Sequence, residues 1–370
     1  MENNFARAAA IVDLAQIKAN IRIVQGLVGS AKIMAVIKAN AYGHGVSPNA
    51  PIAHTAVMAG CEWLSVATPN EGVILRQSGI TTPILVMGAI FESEFEVALS
   101  HDLTVTIFDI ITARNLSDMA QNMGKTANVH IKIDTGMNRL GFKEFDSIEE
   151  IAALPNLCID GIYSHFAASE SDPNFTKEQF AGFAAVAKGL EIPNKHIANS
   201  GAVLHHPEYN LNMVRIGVLI YGLAPCSTPK GAEKLRKMGI MPAMTLKSRI
   251  GHIKTIAKGE SVGYGRSFVA DGDMQIATIP LGYGDGISRQ LSNRGFVLIG
   301  GKHCPVVGTV CMDQLMVDAT STDAKAGDEV IFIGTQSNAR ITAEDIAGWQ
   351  GSINYEVTTA ISQRVQRFYT

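Results

Sequence analysis

A lysine at the end of an apolar run is the first residue of this chain with evident chemical potential. Residues 33–37 are all apolar, which is typical of a buried parallel strand. Lys38 follows directly, ahead of Tyr42 and a Gly-His-Gly sequence. A lysine held in a closed site can lose its proton and form an imine with a carbonyl cofactor. The simpler interpretation is that Lys38 only marks where the strand meets water.

Other polar side chains also lie beside apolar segments. Arg139, His165 and Arg215 each lie within or just after an apolar segment. A guanidinium group binds carboxylates through paired hydrogen bonds, whereas a histidine in such a place is also a common structural residue. Tyr264 lies between two glycines, where turn packing alone would explain it.

The segments that carry these side chains alternate between strand and helix patterns. The predicted strands are residues 33–37, 63–67, 84–87, 103–108, 128–134, 159–165, 196–199 and 213–216. Eight strands, each followed by a helix or turn, predict an α/β fold with an N-terminal (β/α)8 TIM-type barrel. Active sites of such barrels lie at the carboxyl ends of the strands.

Several helix starts have capping signals. Asp13 and Asp109 are predicted N-caps, Thr68 forms a capping box with Glu71, and Ser147 precedes Glu150 with the same spacing.

The composition changes near residues 224–229, and Pro242 closes a predicted linker. Beyond it, β-rich runs at 275–279, 306–310 and 329–333 predict a C-terminal mainly-β domain, with helices at 342–349 and 353–361. We expect residues 1–10 to be an N-terminal segment that joins the C-terminal domain. Residues 11–230 are then the barrel, and residues 231–370 the β-rich domain.

The overall composition excludes several classes of protein. Hydrophobic residues make up 46% and charged residues 18% of the 370 residues, as in packed globular proteins. A net charge of -3 provides no basic field for nucleic acid. The five cysteines form no Cys-x-x-Cys pair, which argues against a zinc site and for a reducing compartment. With no signal peptide and no apolar run of membrane-spanning length, we expect a cytoplasmic protein without a metal or a membrane partner.

The segment Ala35–Gly45 resembles the pyridoxal-phosphate lysine segment of the alanine racemase family, and further family motifs follow in order as far as Glu356. The resemblance implies a homodimer with shared active sites that binds pyridoxal 5'-phosphate and converts L-alanine to D-alanine for peptidoglycan. A racemase must exchange protons on both faces of a planar carbanion. The resemblance gives these roles to Lys38 and to Tyr264 of the partner subunit.

The resemblance also implies roles for other residues. Cofactor binding is implied for Lys38, Tyr42, His165, Asn199, Ser200, Arg215, Gly217, Val218 and Tyr355. Substrate binding is implied for Arg139, Met312 and Tyr283. Supporting roles are implied for Lys132, Cys311 and Asp313, and Lys132 matches a position that some family members carbamylate.

This chain departs from the family pattern at three positions. Asn138 stands where glycine is common, and Gly263 and Gly284 stand where serine and alanine are usual. Alternative functions are a serine or broad-specificity racemase, a related barrel-type amino-acid decarboxylase, and a non-enzymatic carrier of the cofactor. The resemblance implies that Tyr283 and Tyr355 crowd the side-chain region of the substrate, and we therefore expect alanine over serine.

Overall fold

A computed structural model describes residue 5 and residues 7–47, 49–143 and 147–370, apart from the side chain of Ser147. These residues form two compact units. The barrel unit comprises residues 18–41 and 46–220, and the sheet unit comprises the described residues of 1–17, 42–45 and 221–370. Each unit is therefore assembled from segments that are not contiguous in the sequence.

Strand β1 (Ala8–Val12) and helix α1 (Leu14–Val28) come first in the chain. Asp13 Oδ1 accepts a hydrogen bond from the Gln16 amide at 2.8 Å, so the predicted cap of α1 is present. Strand β1 belongs to the sheet unit. Residues 1–4 and 6 of the expected N-terminal segment lie outside the described residues.

Eight parallel strands close into a barrel, and pairing of the last strand with the first completes the ring. The strands are β2 (Lys32–Val36), β3 (Trp63–Val66), β4 (Ile84–Val86), β5 (Thr104–Ile107), β6 (Ala127–Lys132), β7 (Leu157–Tyr163), β8 (Asn194–His196) and β9 (Met213–Ile216). Their side chains are mostly buried because the barrel interior and the surrounding helices cover both faces. The predicted (β/α)8 barrel is confirmed.

Helical segments lie between all successive strands of the barrel. They are α2 (Lys38–Tyr42), α3 (Pro51–Met58), α4 (Pro69–Gln77), α5 (Glu92–Ser100), α6 (Ile110–Asn122), α7 (Ser147–Ala153), α8 (Pro173–Ala187) and α9 (Ser200–His205). Thr68 and Glu71 form the predicted capping box of α4, and Asp109 caps α6 through the Thr112 amide at 2.7 Å. The predicted cap at Ser147 lies outside the described side chains.

The sheet unit is mainly β. After α10 (Pro229–Lys237), its elements are β10 (Met244–Arg249), β11 (His252–Ile256), β12 (Ser261–Val262), β13 (Phe268–Val269), β14 (Met274–Ile279), β15 (Phe296–Ile299), β16 (Lys302–Pro305), β17 (Leu315–Asp318), β18 (Glu329–Gln336), β19 (Ala339–Ile341), α11 (Ala343–Gln350), α12 (Asn354–Thr359) and β20 (Gln366–Tyr369). The largest sheet has the order β16-β15-β18-β10-β1-β20, with β19 beside β18. Its pairs are antiparallel except β1 with β20. A C-terminal mainly-β domain is confirmed.

Two predictions for this unit are corrected. Residues 306–310 do not form a strand, because their amides donate to separate partners: Val306 to Gly295 and Val307 to Met316, and Val310 to the Ser292 hydroxyl. The predicted linker contains helix α10, whose N-cap is Thr228.

Along the described part of the chain, no helix combines the length and apolar character needed to cross a membrane.

Candidate active site

Lys38 follows β2 after one further residue, Ile37. The Ile37 amide donates to the carbonyl oxygen of Ser65 in β3 at 2.8 Å, which continues the barrel pairing as far as the candidate lysine. The Lys38 side chain is half-buried. Burial lowers the pKa of its amine, the positive charge of Arg139 lowers it further, and the Glu71 carboxylate acts in the opposite direction. A lysine with a lowered pKa can serve as nucleophile and base.

Segment α2 is left-handed although it contains no glycine. Ala39 and Asn40 have φ angles of 52° and 54°, a region that costs an L-residue roughly 1–2 kcal/mol. Glu71 Oε1 accepts from the Ala39 amide at 2.7 Å, and Asn40 Oδ1 accepts from the Val46 amide at 2.9 Å. The other Glu71 oxygen accepts from the Ala67 amide at 2.7 Å. One carboxylate therefore ties the start of α4 to the residue after the candidate lysine.

Lys132 lies at the end of β6 and is only 5% exposed. Its Nζ donates to the Ile133 carbonyl oxygen at 3.0 Å and lies 5.2 Å from the centroid of the Tyr163 ring. Burial, followed by the charge of Arg215, lowers the pKa of Lys132 to about 7. A large fraction of these amines is therefore uncharged at neutral pH, which is the form that reacts with carbon dioxide.

Arg139 is exposed in the loop after β6. Asp134 shapes this loop, since its Oδ1 accepts from the amides of Gly136 at 2.9 Å and Asn138 at 3.0 Å. Asn138 has a φ angle of 55°, in the left-handed region that asparagine tolerates better than most residues. Asparagine in place of glycine is thus compatible with this backbone.

Arg215 is buried in β9 and anchored by four contacts. Nη2 donates to His165 Nδ1 at 3.0 Å and to the carbonyl oxygens of Ser164 and Ile197 at 2.7 and 3.1 Å. Nη1 donates to His196 Nδ1 at 2.6 Å. Because a guanidinium only donates, both Nδ1 atoms must accept, and both histidines carry their proton on Nε2.

The charges of Arg215 and His165 follow from their burial and from their contact with each other. Burial, with the charge of Arg215 second, holds the pKa of His165 well below its ordinary value. Burial lowers the pKa of Arg215 to about 10. At neutral pH the arginine is therefore charged and the histidine neutral.

Ser200 opens α9, and its Oγ accepts from the Gly217 amide at 3.1 Å. This bond joins α9 to the loop after β9, in which Val218 begins a short 3-10 turn. Asn199 caps α9 through the Ala202 amide at 2.9 Å. A hydroxyl beside the unpaired amides of a helix start is a common site for phosphate.

The space in front of α9 accommodates an anionic oxygen. A Cβ on Gly201 would lie 1.7 Å from Oε1 of Glu170, so glycine is needed for this carboxylate oxygen to approach the helix start. The Ser200 hydroxyl, which accepts from the Gly217 amide and keeps its own proton to donate, fits a phosphate oxygen, whereas the Glu170 carboxylate would have to leave this position because it repels an anion.

In the sheet unit, Tyr42 packs among aromatic rings. Its centroid lies 5.1 Å from that of Tyr221 and 6.1 Å from that of Tyr355. Burial raises the pKa of Tyr42, so its phenol retains the proton and can donate it in a hydrogen bond. Arg367 donates to the Gly43 carbonyl oxygen at 2.9 Å and holds this segment.

Three predicted residues of the sheet unit expose large side chains: Tyr264 is 74%, Met312 53% and Tyr283 44% exposed. The Tyr283 amide donates to the Cys311 carbonyl oxygen at 3.0 Å, and Tyr264 and Cys311 line the same cleft. The structure thus brings these loops to one region of the sheet unit.

The remaining predicted residue, Asp313, accepts from Arg364 Nη2 at 2.7 Å. The departures from the family pattern fit their surroundings. Gly263 has a φ angle of 75°, which serine would adopt only with strain. A Cβ on Gly284 would lie 2.4 Å from Arg364 Nη1.

Within the barrel unit, the predicted basic groups lie close enough to interact, since the charges of Arg215, Lys132, Arg139 and Lys38 all lower the pKa of His165. Sequence reasoning missed the role of Glu71 and the histidine partner of Arg215, His196. His196 ends β8, whose sequence Asn-Lys-His is polar throughout, so no contrast with apolar neighbours marked this histidine.

Two family models together match most of the chain. "Alanine racemase, N-terminal domain" matches residues 12–225, and "Alanine racemase, C-terminal domain" matches residues 243–369.

Individual proteins match over nearly their full lengths. Alanine racemase from Halothermothrix orenii is 41% identical over 371 residues, which covers 97% of this chain and 96% of that protein. The crystal structure of alanine racemase from D-cycloserine producing Streptomyces lavendulae has a TM-score of 0.93 at 33% identity and covers 100% of this chain and 98% of its own. Alanine racemase from Bartonella henselae with covalently bound pyridoxal phosphate has a TM-score of 0.88 at 28% identity, covering 99% and 100%. The chain therefore belongs to the alanine racemase family.

Proposed function

We propose that this protein interconverts L-alanine and D-alanine, with pyridoxal 5'-phosphate bound to Lys38. The observation that carries the proposal is the half-buried Lys38 amine with a lowered pKa, at the mouth of a barrel that also holds Arg139 and the Arg215–His165 pair. The names of the relatives support the substrate, and the Bartonella henselae structure supports the cofactor.

The predicted residues offer a partner for each part of the cofactor. Ser200 and the backbone around Gly217 and Val218 would hold the phosphate, with Asn199 fixing the helix start, and Tyr42 and Tyr355 would add phenol donors. Arg215 would face the ring nitrogen as a donor that keeps its own proton. When bound, the cofactor supplies an electron-accepting ring that stabilises the negative charge left on the α-carbon.

Two bases act on opposite faces of the substrate. In the L-to-D direction, Tyr264 of the partner subunit removes the α-proton and Lys38 returns a proton to the other face; the roles are exchanged in the reverse direction. The 74% exposure of Tyr264 in the single chain suits a side chain that completes the site of a second subunit. We therefore propose a homodimer with shared active sites.

The substrate is held by its carboxylate. Arg139 offers a guanidinium fork, the Met312 backbone adds a donor, and Lys132, Cys311 and Asp313 support these groups. Tyr283 and Tyr355 restrict the side-chain space and favour alanine over serine. We place the protein in the cytoplasm, with its barrel (residues 11–230) as the cofactor-binding domain and its product directed to peptidoglycan.

A chiral assay tests the reaction. We expect the wild-type protein to racemise L-alanine faster than L-serine, and equal rates would refute the selectivity. Tyr264→Phe should lose most of the racemase activity. In a cofactor carrier this substitution would change nothing that the assay measures. A decarboxylase would instead release carbon dioxide from the amino acid.

Borohydride reduction followed by peptide mapping tests the cofactor attachment. The pyridoxyl label is expected on the peptide that contains Lys38. A label on Lys132 would reverse the assignment of the two lysines.

A further inference from the structure

A line of buried side chains leads away from Arg215 into the barrel. Arg215 Nη1 lies 2.6 Å from His196 Nδ1, and His196 Nε2 lies 2.9 Å from His130 Nδ1. His130 Nε2 faces Asp160 Oδ2 at 4.0 Å. The two imidazoles are fully buried, whereas the Asp160 side chain is 30% exposed.

The direction of every proton in this line follows from its two ends. Arg215 can only donate, so His196 Nδ1 accepts and His196 carries its proton on Nε2. That proton is donated to His130 Nδ1, so His130 also carries its proton on Nε2. That proton faces the Asp160 carboxylate, which can only accept, across 4.0 Å, a charge-dipole contact too long for a direct hydrogen bond. Either histidine in the opposite tautomer would place two donors or two acceptors against each other.

The backbone of β7 is adapted to this line. The register between β6 and β7 shifts so that Val129 pairs with Ile159 but His130 pairs with Gly161, which leaves Asp160 in a bulge. A Cβ on Gly161 would lie 2.5 Å from three atoms of the His130 ring, so only glycine leaves room for the imidazole. Bulges commonly redirect a side chain next to an active site.

Neighbouring groups hold both ends of the line. The His196 ring stacks on Tyr163 with centroids 4.8 Å apart at 3°. Asp160 Oδ1 accepts from Asn194 Nδ2 at 3.2 Å, and Asn194 Oδ1 accepts from Lys32 at 3.0 Å. Buried imidazoles are costly unless paired, so two of them inside the barrel point to a role beyond packing.

We propose that His196, His130 and Asp160 are positioning residues that orient the Arg215 guanidinium and, through it, hold His165 with its proton on Nε2. This inference rests on the proposed function for its consequence, because Arg215 and His165 are the groups assigned to the cofactor ring. Asp160 supplies the fixed acceptor at the far end of the line. Without that acceptor, His130 loses the group that favours its Nε2 tautomer, and the His196 ring that contacts Arg215 is held less firmly.

Nitrogen NMR of the cofactor-free protein, labelled with 15N-histidine, tests the proton arrangement directly. At pH 7 we expect His130, His196 and His165 to be neutral and protonated on Nε2, with assignments from single histidine variants. His130 or His196 protonated on Nδ1, or on both nitrogens, would overturn the proposal. This measurement needs no variant of Asp160 and no activity.

Variants then test the coupling to the site. Asp160→Leu removes the acceptor, and we expect mixed tautomers at His130, an altered His165 signal and affinity for pyridoxal phosphate about tenfold weaker. Asp160→Asn retains an acceptor oxygen and should restore the wild-type tautomers and most of the affinity. Asp102→Asn, which removes an exposed carboxylate paired with Lys125, is the matched control and should leave both readouts unchanged.

His130→Phe covers the case in which Asp160→Leu fails to fold. It keeps an aromatic ring beside Gly161 and cuts the line at its middle, so the His165 signal and the cofactor affinity should again change. A folded variant with wild-type values for both would refute the proposal. If the tautomers are as expected but no racemisation is found, the positioning role of His196, His130 and Asp160 stands and the proposed function fails.

Discussion

Single side chains decide the chemistry of this site through burial and through the hydrogen bonds of their neighbours. Lys38 follows one apolar strand of the barrel and Lys132 ends another, yet their surroundings differ. Glu71 partly offsets the loss of charge at Lys38. Lys132 is more deeply buried, and its pKa falls to about 7. The sequence shows two lysines, whereas their protonation depends on contacts made after folding.

The lowered pKa of Lys132 makes stability depend on pH. The unfolded amine has a pKa of about 10.4, so folding releases a proton between this value and about 7. The burial penalty is therefore complete below pH 7 and disappears as the pH rises through this window. Between pH 6 and pH 9, the free energy of unfolding of the wild type should rise by about 3 kcal/mol more than that of Lys132→Met. Urea unfolding in carbon dioxide-free buffer measures this difference, and parallel pH curves would contradict the prediction.

Glu71 offers a second test at this scale. Glu71→Gln places an amide group against the Ala39 or Ala67 amide and should destabilise the left-handed α2 by about 1–3 kcal/mol. It also removes a negative charge that raises the pKa of Lys38, so that pKa should fall. Thermal unfolding and the pH dependence of the borohydride-trapped fraction are the measurements.

Glu94→Gln is the matched control for this change. Glu94 accepts from the Phe91 amide at 3.0 Å in an equivalent cap of α5. Its replacement should weaken a helix start without changing the Lys38 profile. Identical profiles for the two variants would show that Glu71 acts only as a cap.

Strands and loops position these groups, and the pairing of their backbones determines where each side chain lies. The bulge at Asp160 lets two strands present a histidine and its acceptor on the same line. Short local signals anticipated most barrel elements, because caps and apolar runs act within a few residues. The strand predicted at residues 306–310 was wrong, because a composition rich in β-formers does not specify which backbone groups will pair.

The close contact between β6 and β7 makes Gly161 sensitive to a single methyl group. Gly161→Ala should destabilise the barrel by about 1–3 kcal/mol, since the His130 ring cannot move far within the closed interior. Gly182→Ala in α8 meets its nearest atom only at 3.8 Å, and alanine is the better helix former. This control should be neutral or slightly stabilising. Melting temperatures compare the two, and an unchanged value for Gly161→Ala would show that the ring adjusts freely.

The whole molecule draws each unit from distant parts of the chain. Residues 42–45 belong to the sheet unit although Lys38 belongs to the barrel unit, and β1 pairs with β20 at the opposite end of the sequence. The proposed site also needs a second chain, because its two bases would come from different subunits. Activity is then a property of the assembly.

Mixing two nearly inactive variants tests this assembly. Lys38→Ala and Tyr264→Phe should each retain little activity alone. A mixed dimer would contain one site with both bases intact, since Lys38 comes from one chain and Tyr264 from the other. With random pairing in a two-fold dimer, about a quarter of wild-type activity should return. No recovery in a mixture shown to contain mixed dimers would place both bases in one chain.

The sequence by itself determined the barrel, the β-rich second part, the helix caps and the family motifs. These depend on local patterning and on residue types that are legible without coordinates. Only the tertiary structure revealed the left-handed α2, the reach of Glu71 to Ala39 and the line from Arg215 to Asp160. The last two join residues far apart in sequence, and the bond from Glu71 holds the first. Such hydrogen bonds and pKa values exist only where folding brings groups into contact and excludes water.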